Sequence, residues 1–209
     1  MTFSSNQQLV DSLEQDGFIQ SLSIKEAFLV ADRKKFIPVE FSRFAYFDQP
    51  IPIGEQQTIS QPATVAFMLE LLAVQPGQRV LDVGAGSGWV TALLAHLVGT
   101  TGWIQAYELK KRVGQFGQKA VVDFKLKNVE YLIADAAQYW TKKGLFDRIY
   151  VGAAFRKIPS NLILQLKDDG ILVAPTQQND LRKITRVGDK FEETIYPGFV
   201  FVPFLDNKK

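Results

Sequence analysis

Val80-Leu81-Asp82-Val83-Gly84-Ala85-Gly86-Ser87-Gly88-Trp89 decides how the rest of this chain is read. A short apolar run containing one Asp passes into glycines at alternate positions, then into a helical pattern from Trp89 to Leu97. That order predicts a strand, a tight turn and a helix start. Glycine serves such a turn in two ways: it takes backbone angles closed to other residues, and it lets main-chain N–H groups approach a ligand. In an open α/β sheet the turn lies at the carboxyl end of a strand, where small molecules bind.

Towards the C-terminus, strand and helix patterns alternate. Strands are predicted over Arg79–Val83, Trp103–Tyr107, Val129–Ile133, Arg148–Val151 and Ile171–Ala174, with helices at Trp89–Val98, Leu109–Leu126 and Pro159–Leu166. Such alternation implies a parallel sheet with right-handed crossovers. Past Pro175, Lys183–Val187 and Phe191–Ile195 flank a Gly188-Asp189-Lys190 turn in the pattern of a hairpin, and Phe199–Phe204 reads as a last strand. The expected fold is α/β and Rossmann-like, a mostly parallel central sheet with helices on both faces and antiparallel strands at the C-terminal end.

Towards the N-terminus, Ser5 to Asp16 reads as an amphipathic helix stopped by Gly17, and Ser23-Ile24-Lys25-Glu26 has capping-box spacing that opens a second. From Phe36 to Ile59 periodicity disappears among Pro38, Pro50, Pro52, Gly54 and many aromatics. Too aromatic for a linker, this segment is expected to be a cover packed on the core. Ser60 is a candidate N-cap for a third helix, with Pro62 in its first turn and Pro76-Gly77 at its end. A single domain is expected over 1–209: N-terminal helices and cover in 1–60, the cofactor-binding core in 61–175, antiparallel strands in 176–209.

Composition narrows the chemistry. With 24 basic and 22 acidic residues the net charge is +2, which gives no electrostatic case for nucleic acid. The basic triplets Arg33-Lys34-Lys35 and Lys110-Lys111-Arg112 read as solvated helix ends. There is no cysteine, so disulfides, thiolate metal sites and a Cys nucleophile are excluded. The single His96 sits mid-helix among leucines and reads as structural, and no metal is expected. Met1 to Asp16 is polar and acidic, and no stretch approaches the ~18 apolar residues of a membrane span. A cytoplasmic, monomeric enzyme with no membrane partner is the expectation.

The glycine loop itself selects among ligands. A dinucleotide oxidoreductase carries G-x-G-x-x-G, whereas here Trp89 stands where the third glycine belongs and Asp82 is foreign to that fingerprint. An Asp at this place suits a cationic ligand, which favours S-adenosylmethionine, positive at its amino group and its sulfonium. The next strand ends in Glu108, about twenty residues on, where a carboxylate accepts from ribose hydroxyls. The third ends near Asp135, placed to meet an adenine edge. Acidic residues at three successive strand ends are more specific than the glycines; the plainer alternative makes Asp135 a helix cap and Glu108 a surface residue.

On these residues and others the chain resembles the protein-L-isoaspartate O-methyltransferases over nearly its whole length. The resemblance is carried by Arg33-x-x-Phe36-x-Pro38, Ala45-Tyr46-x-Asp48-x-Pro50, Ile53-Gly54, Gln57-Thr58-Ile59-Ser60-Gln61-Pro62, Leu81 to Trp89, Phe146-Asp147-Arg148-Ile149, Ala153-Ala154, Ile158-Pro159 and Phe201-Val202-Pro203-Phe204. It implies methyl transfer from S-adenosylmethionine to the α-carboxylate of L-isoaspartyl residues in damaged peptides and proteins, with S-adenosylhomocysteine as product. The ester then collapses to a succinimide that hydrolyses partly to normal aspartate. By matching positions, the resemblance makes Ser60 the active-site residue and lines the methyl-transfer site with Gln57, Thr58 and Ile59. It gives the cofactor Asp82, Gly84, Ala85, Gly86, Ser87, Gly88 and Glu108, and sets Asp135 and Ala136 at its adenine.

The chemistry agrees independently. A carboxylate with a solution pKa of roughly 3.5–4 is already ionised at neutral pH and needs no general base. What the reaction needs is in-line positioning and exclusion of water. A Ser hydroxyl at a helix N-terminus suits an anion, although a hydroxyl that caps its own helix points away from one. Departures from the family pattern are Ala134 and Ala136 where Gly-Asp-Gly is usual, Gln56 in place of Gly, and Thr176-Gln177-Gln178 where a glycine follows the proline. Three other readings compete. Methylation of a dedicated peptide carboxylate to give an aspartimide is one, though relatives of that kind carry C-terminal extensions and this chain stops at Lys209. A non-catalytic cofactor-binding module is another, against which Ser60 argues; a nicotinamide oxidoreductase is disfavoured by Trp89 and Asp82.

Overall fold

The computed structural model describes residues 3–140 and 146–205; the final residues of the expected C-terminal segment, 206–209, and the first two lie outside the described residues. Helices α1 (Asn6–Gln15) and α2 (Leu22–Val30) come first. Two 3-10 turns, Arg33–Phe36 and Val39–Phe44, lead into a small hairpin of β1 (Ile51–Gly54) and β2 (Gln57–Ile59), and α3 (Pro62–Leu72) follows. The core then runs β3 (Arg79–Val83), α4 (Trp89–Val98), β4 (Trp103–Glu108), α5 (Lys111–Asp123), β5 (Val129–Ile133) and β6 (Phe146–Val151). After it come α6 (Ser160–Ile163), β7 (Leu166–Thr176), β8 (Asp180–Val187) and β9 (Lys190–Pro197).

The main sheet has the order β5-β4-β3-β6-β7-β8-β9. β3 to β7 are parallel, and β8 and β9 add antiparallel strands at the edge. β3 is covered on both faces, which is why it reads as a continuous apolar run. From β3 the chain steps outward through β4 and β5, then returns to the opposite side of β3 with β6. This reversal puts a crevice at the carboxyl ends of β3 and β6, the place where open α/β sheets hold ligands. Buried residues of α1 to α5 share one core with Val80, Ile104 and Tyr150, and Leu162, Phe155 and Trp140 cover the other face around Leu81, Val83 and Ile149.

Several local expectations give way. Ser23 does not cap α2: the N-cap is Ser21, whose hydroxyl donates to Glu70 at 2.6 Å instead. α3 ends at Ala73 in the left-handed region, before Pro76-Gly77 is reached. The helices expected over Leu109–Leu126 and Pro159–Leu166 are shorter, the second only four residues long. Phe199–Phe204 is no strand. It meets the sheet region through one isolated parallel bridge, Ala154 with Pro203. Nor is Arg33 solvated, being fully buried.

Candidate active site

Glycine works in the loop after β3 in a different way from the one expected. Gly84, Gly86 and Gly88 all have positive φ, and a side chain on Gly88 would meet the Gly117 carbonyl oxygen at 3.1 Å. The main-chain N–H groups, however, turn inward. Those of Gly84 and Ala85 donate to the Tyr107 carbonyl at 2.9 Å, and that of Gly88 to the Ala85 carbonyl. The Gly86 N–H donates to Glu108 Oε2 at 3.0 Å. With these four N–H groups engaged inside the protein, the loop lacks the run of free donors a phosphate cradle needs, which suits a ligand without a pyrophosphate.

Glu108 is held from both ends, Oε1 accepting from the Lys110 N–H at 2.8 Å while Oε2 takes that of Gly86. Burial pushes its carboxyl upward, and these main-chain donors pull it back. A carboxylate has about four lone-pair positions, so Glu108 keeps capacity to accept from ribose hydroxyls beyond these main-chain donors. Asp135 caps the 3-10 turn at Ala136–Tyr139 through the Ala137 N–H and also lines the crevice, so capping and binding are not exclusive. Neither Ala134 nor Ala136 takes a positive φ, so their methyl groups bring no backbone strain. Gln56 does, at φ 62°, and the turn after Pro175 finds its left-handed residue in Asn179.

Three adjoining cavities share Thr58 and Gly152. One of them, about 580 Å³ counting its open mouth, is walled by Ile53, Gln57 and Thr58 against Gly84, Gly86, Glu108, Asp135 and Ala136. That volume falls within the range of small-molecule sites. An inner cavity is lined by Ile59, Ser60, Ala85, Ser87 and Tyr150, and an outer cleft by Pro50, Ser60, Gln61, Thr64 and Val200 to Val202. Ser60 thus stands on the wall between the glycine loop and the outside. Asp82 and Gly88 are not on these walls. Asp82 is fully buried behind the loop, accepts from the Thr91 hydroxyl at 2.6 Å, and is pushed up to about 7 by burial. Fully buried and on none of these walls, it exposes no oxygen to a cation in the crevice, unlike the direct contact expected.

Ser60 is not the cap of α3. The N-cap position is Gln61, and Asp48 reaches in to accept from the Ala63 N–H at 2.8 Å and from the Gln61 side chain at 2.8 Å. This leaves the Ser60 hydroxyl out of the capping role that competed with catalysis. Its carbonyl is fixed by Arg33. The buried guanidinium donates to the carbonyls of Ala45, Phe47, Gln49 and Ser60 at 2.9, 3.2, 2.8 and 3.0 Å. It also lies 5.3 Å from the Trp89 ring centroid, and burial lowers it to about 9. Trp89, the residue that spoiled the dinucleotide fingerprint, donates from its indole to the Ala31 carbonyl at 2.9 Å and so ties α4 to the N-terminal helices.

The sequence did not reveal Ile53, Gly152, Ala153 or Val202 to Leu205 as lining residues. Ala153-Ala154 and Phe201 to Phe204 stood among the matching motifs, but only the fold brings them together, with Ala154 bonded to Val202 and Phe204 at 2.8 Å each. Among the described residues no group of His, Asp and Glu is arranged to hold a metal, and no helix is long and apolar enough to cross a membrane.

A parallel sheet reversed at its central strand, a glycine loop without a phosphate cradle and carboxylates at the ends of the next two strands define an α/β methyltransferase. Comparison with known proteins takes this further. Residues 4–209 match the family described as protein-L-isoaspartate(D-aspartate) O-methyltransferase. A protein-L-isoaspartate O-methyltransferase of Pyrobaculum islandicum is 36% identical, covering 96% of this chain and 99% of the relative. One from Aliivibrio fischeri is 37% identical with 97% of each covered. A Plasmodium falciparum chain crystallised in complex with S-adenosyl-L-homocysteine superposes with a TM-score of 0.87 at 25% identity, covering 98% of this chain and 100% of that one. The chain belongs to the protein-L-isoaspartate O-methyltransferase family.

Proposed function

We propose that Ser60 positions the α-carboxylate of an L-isoaspartyl residue for methylation, with the cofactor held between the β1–β2 hairpin and the ends of β3, β4 and β5. The observation that carries this is the place of Ser60, on the wall common to the inner cavity and the outer cleft, its hydroxyl released from capping by Asp48. When bound, S-adenosylmethionine supplies an electrophilic methyl group that the isoaspartyl carboxylate takes as an ester, leaving S-adenosylhomocysteine. Glu108 accepts the ribose hydroxyls, Asp135 and Ala136 border the adenine, and Gln57, Thr58 and Ile59 flank the reacting end. Gly84, Ala85, Gly86 and Ser87 form the floor, while Gly88 starts α4 and Asp82 supports the loop from behind.

No residue need move a proton, because the nucleophile is already an anion. The Ser60 hydroxyl donates to one carboxylate oxygen and leaves the other free, and the N-terminal end of α3 adds a favourable dipole. The following residue's main-chain nitrogen then attacks the ester carbonyl and expels methanol, closing a succinimide whose hydrolysis returns part of the damage to aspartate. In this reading the chain acts as a monomer in the cytoplasm on damaged peptides and proteins, without nucleic acid or membrane; its net charge of +2 is in keeping with that. The test is incubation with methyl-labelled S-adenosylmethionine and matched isoaspartyl and aspartyl peptides. Base-labile label is expected on the isoaspartyl peptide alone; tight cofactor binding with no label on either would refute catalysis.

A further inference from the structure

The tip of the β1–β2 hairpin is fastened to a helix far from it in sequence. Oε2 of Glu55 accepts from the main-chain N–H of Arg112 at 2.9 Å and of Val113 at 3.3 Å. α5 has no cap of its own, since Lys110 stands at its N-cap position without a side-chain bond. The first turn of a helix leaves N–H groups without intrahelical partners, and a carboxylate there gains from the bonds and from the helix dipole. Glu55, 57 residues before Arg112, supplies that carboxylate from outside.

The hairpin so fastened is one wall of the cofactor cavity. Ile53, Gln57 and Thr58 stand across it from Glu108 and Lys110, and α5 starts directly after Lys110. Little else holds the tip. β1 and β2 form a sheet of their own, paired with no further strand, and an isolated two-stranded hairpin is marginal in water. Its turn residues Glu55 and Gln56 have φ 47° and 62°, the left-handed pair that Asn and Gly adopt readily and these two do not. The buried side chains of Ile51, Ile53 and Ile59 anchor the strands but not the exposed tip.

We infer that Glu55 is a positioning residue for the cofactor: it latches the hairpin to α5 across the cavity, and its release opens the wall through which the nucleoside exchanges. The inference rests on the cofactor site proposed above. Because Gln57 and Thr58 lie on β2 and Ser60 follows directly after it, the latch also fixes the wall that faces the reacting carboxylate. Its loss therefore acts on how long the cofactor stays more than on whether the fold forms.

The experiment follows dissociation of labelled S-adenosylhomocysteine after a chase with unlabelled ligand, alongside amide hydrogen exchange of residues 51–59 and 109–114. Glu55→Ala is expected to speed dissociation about fivefold, the effect of removing a helix cap, and to speed exchange in both segments. Glu55→Gln keeps an accepting oxygen, and a change of about twofold is expected. Dissociation from Glu55→Ala within twofold of the parent chain overturns the latch. So does lowered thermal stability with an unchanged rate, which would make Glu55 a helix cap only. Should the parent chain fail to retain S-adenosylhomocysteine, the cofactor reading falls. The exchange data then judge the latch alone: faster exchange at 51–59 in Glu55→Ala supports it, and unchanged exchange overturns it.

Discussion

The two sides of the crevice are built by different means. On the cofactor side, Gly84, Glu108 and Asp135 each sit at or just beyond the carboxyl end of a sheet strand, and ladder hydrogen bonds, on both sides of β3 and β4 and on one side of β5, fix where those ends fall. On the substrate side, Ser60 follows a three-residue strand that belongs to a separate small hairpin. There the geometry depends on side chains reaching from elsewhere: Arg33 to the Ser60 carbonyl, Asp48 to the start of α3. A sheet spreads positional control over many weak bonds, whereas the substrate side concentrates it in a few strong ones. Damage to one residue should therefore matter far more on that side.

The largest effect that tests this contrast is expected from Arg33→Leu. It removes four hydrogen bonds to buried and part-buried carbonyls and should lower unfolding stability by about 4 kcal/mol, read from chemical denaturation. In the folded fraction, isoaspartyl turnover should fall much more than S-adenosylhomocysteine affinity; equal losses of both would erase the distinction between the two sides. Next is a pH effect on the cofactor side. Asp82 binds its proton more tightly in the folded chain, at about 7 against the ordinary 3.8. Its contribution to stability is thus complete below about pH 4 and is lost as pH rises through 7. Asp82→Asn lacks this loss, so its stability relative to the parent should rise by about 3 kcal/mol between pH 5 and pH 8. Parallel denaturation curves across that range would show that Asp82 ionises normally. Ser60→Ala is the mildest change to the fold and is expected to lower kcat about 10²-fold while leaving calorimetric S-adenosylhomocysteine affinity within about twofold. Lost affinity with turnover intact would move Ser60 to the cofactor side.

The same contrast explains what could be read from the chain. β3, β4 and β6 are legible because their buried stretches appear as apolar runs, β5 because Val129, Tyr131, Leu132 and Ile133 are strand formers, and the loop after β3 declares itself by its glycines. Glu108 and Asp135 follow from their places at strand ends. The β1–β2 hairpin was hidden because Pro52 interrupts a four-residue strand and Glu55-Gln56 carries no turn signal. Phe199–Phe204 looked like a strand because its apolar composition says nothing of whether a ladder partner exists. The freedom of the Ser60 hydroxyl depends on Asp48, 15 residues before the Ala63 N–H it caps, and no local pattern announces a cap from that distance. Arg33 was the hardest. Inside the Arg33-Lys34-Lys35 triplet it looks like a solvated charge, and only the convergence of four carbonyls reveals otherwise.

That convergence also bears on the order in which the protein assembles. Arg33 reaches carbonyls 12, 14, 16 and 27 residues away. A guanidinium gives up its water before it can use them, and one or two carbonyls do not offset that loss. The clamp gains stability only when all its loops have closed, so it belongs to the late, native side of the folding barrier. Interactions absent from the transition state act on the rate of unfolding and hardly on the rate of folding. Arg33 is therefore expected to act as a kinetic lock: in Arg33→Leu, stopped-flow measurement should show unfolding accelerated far more than folding is slowed.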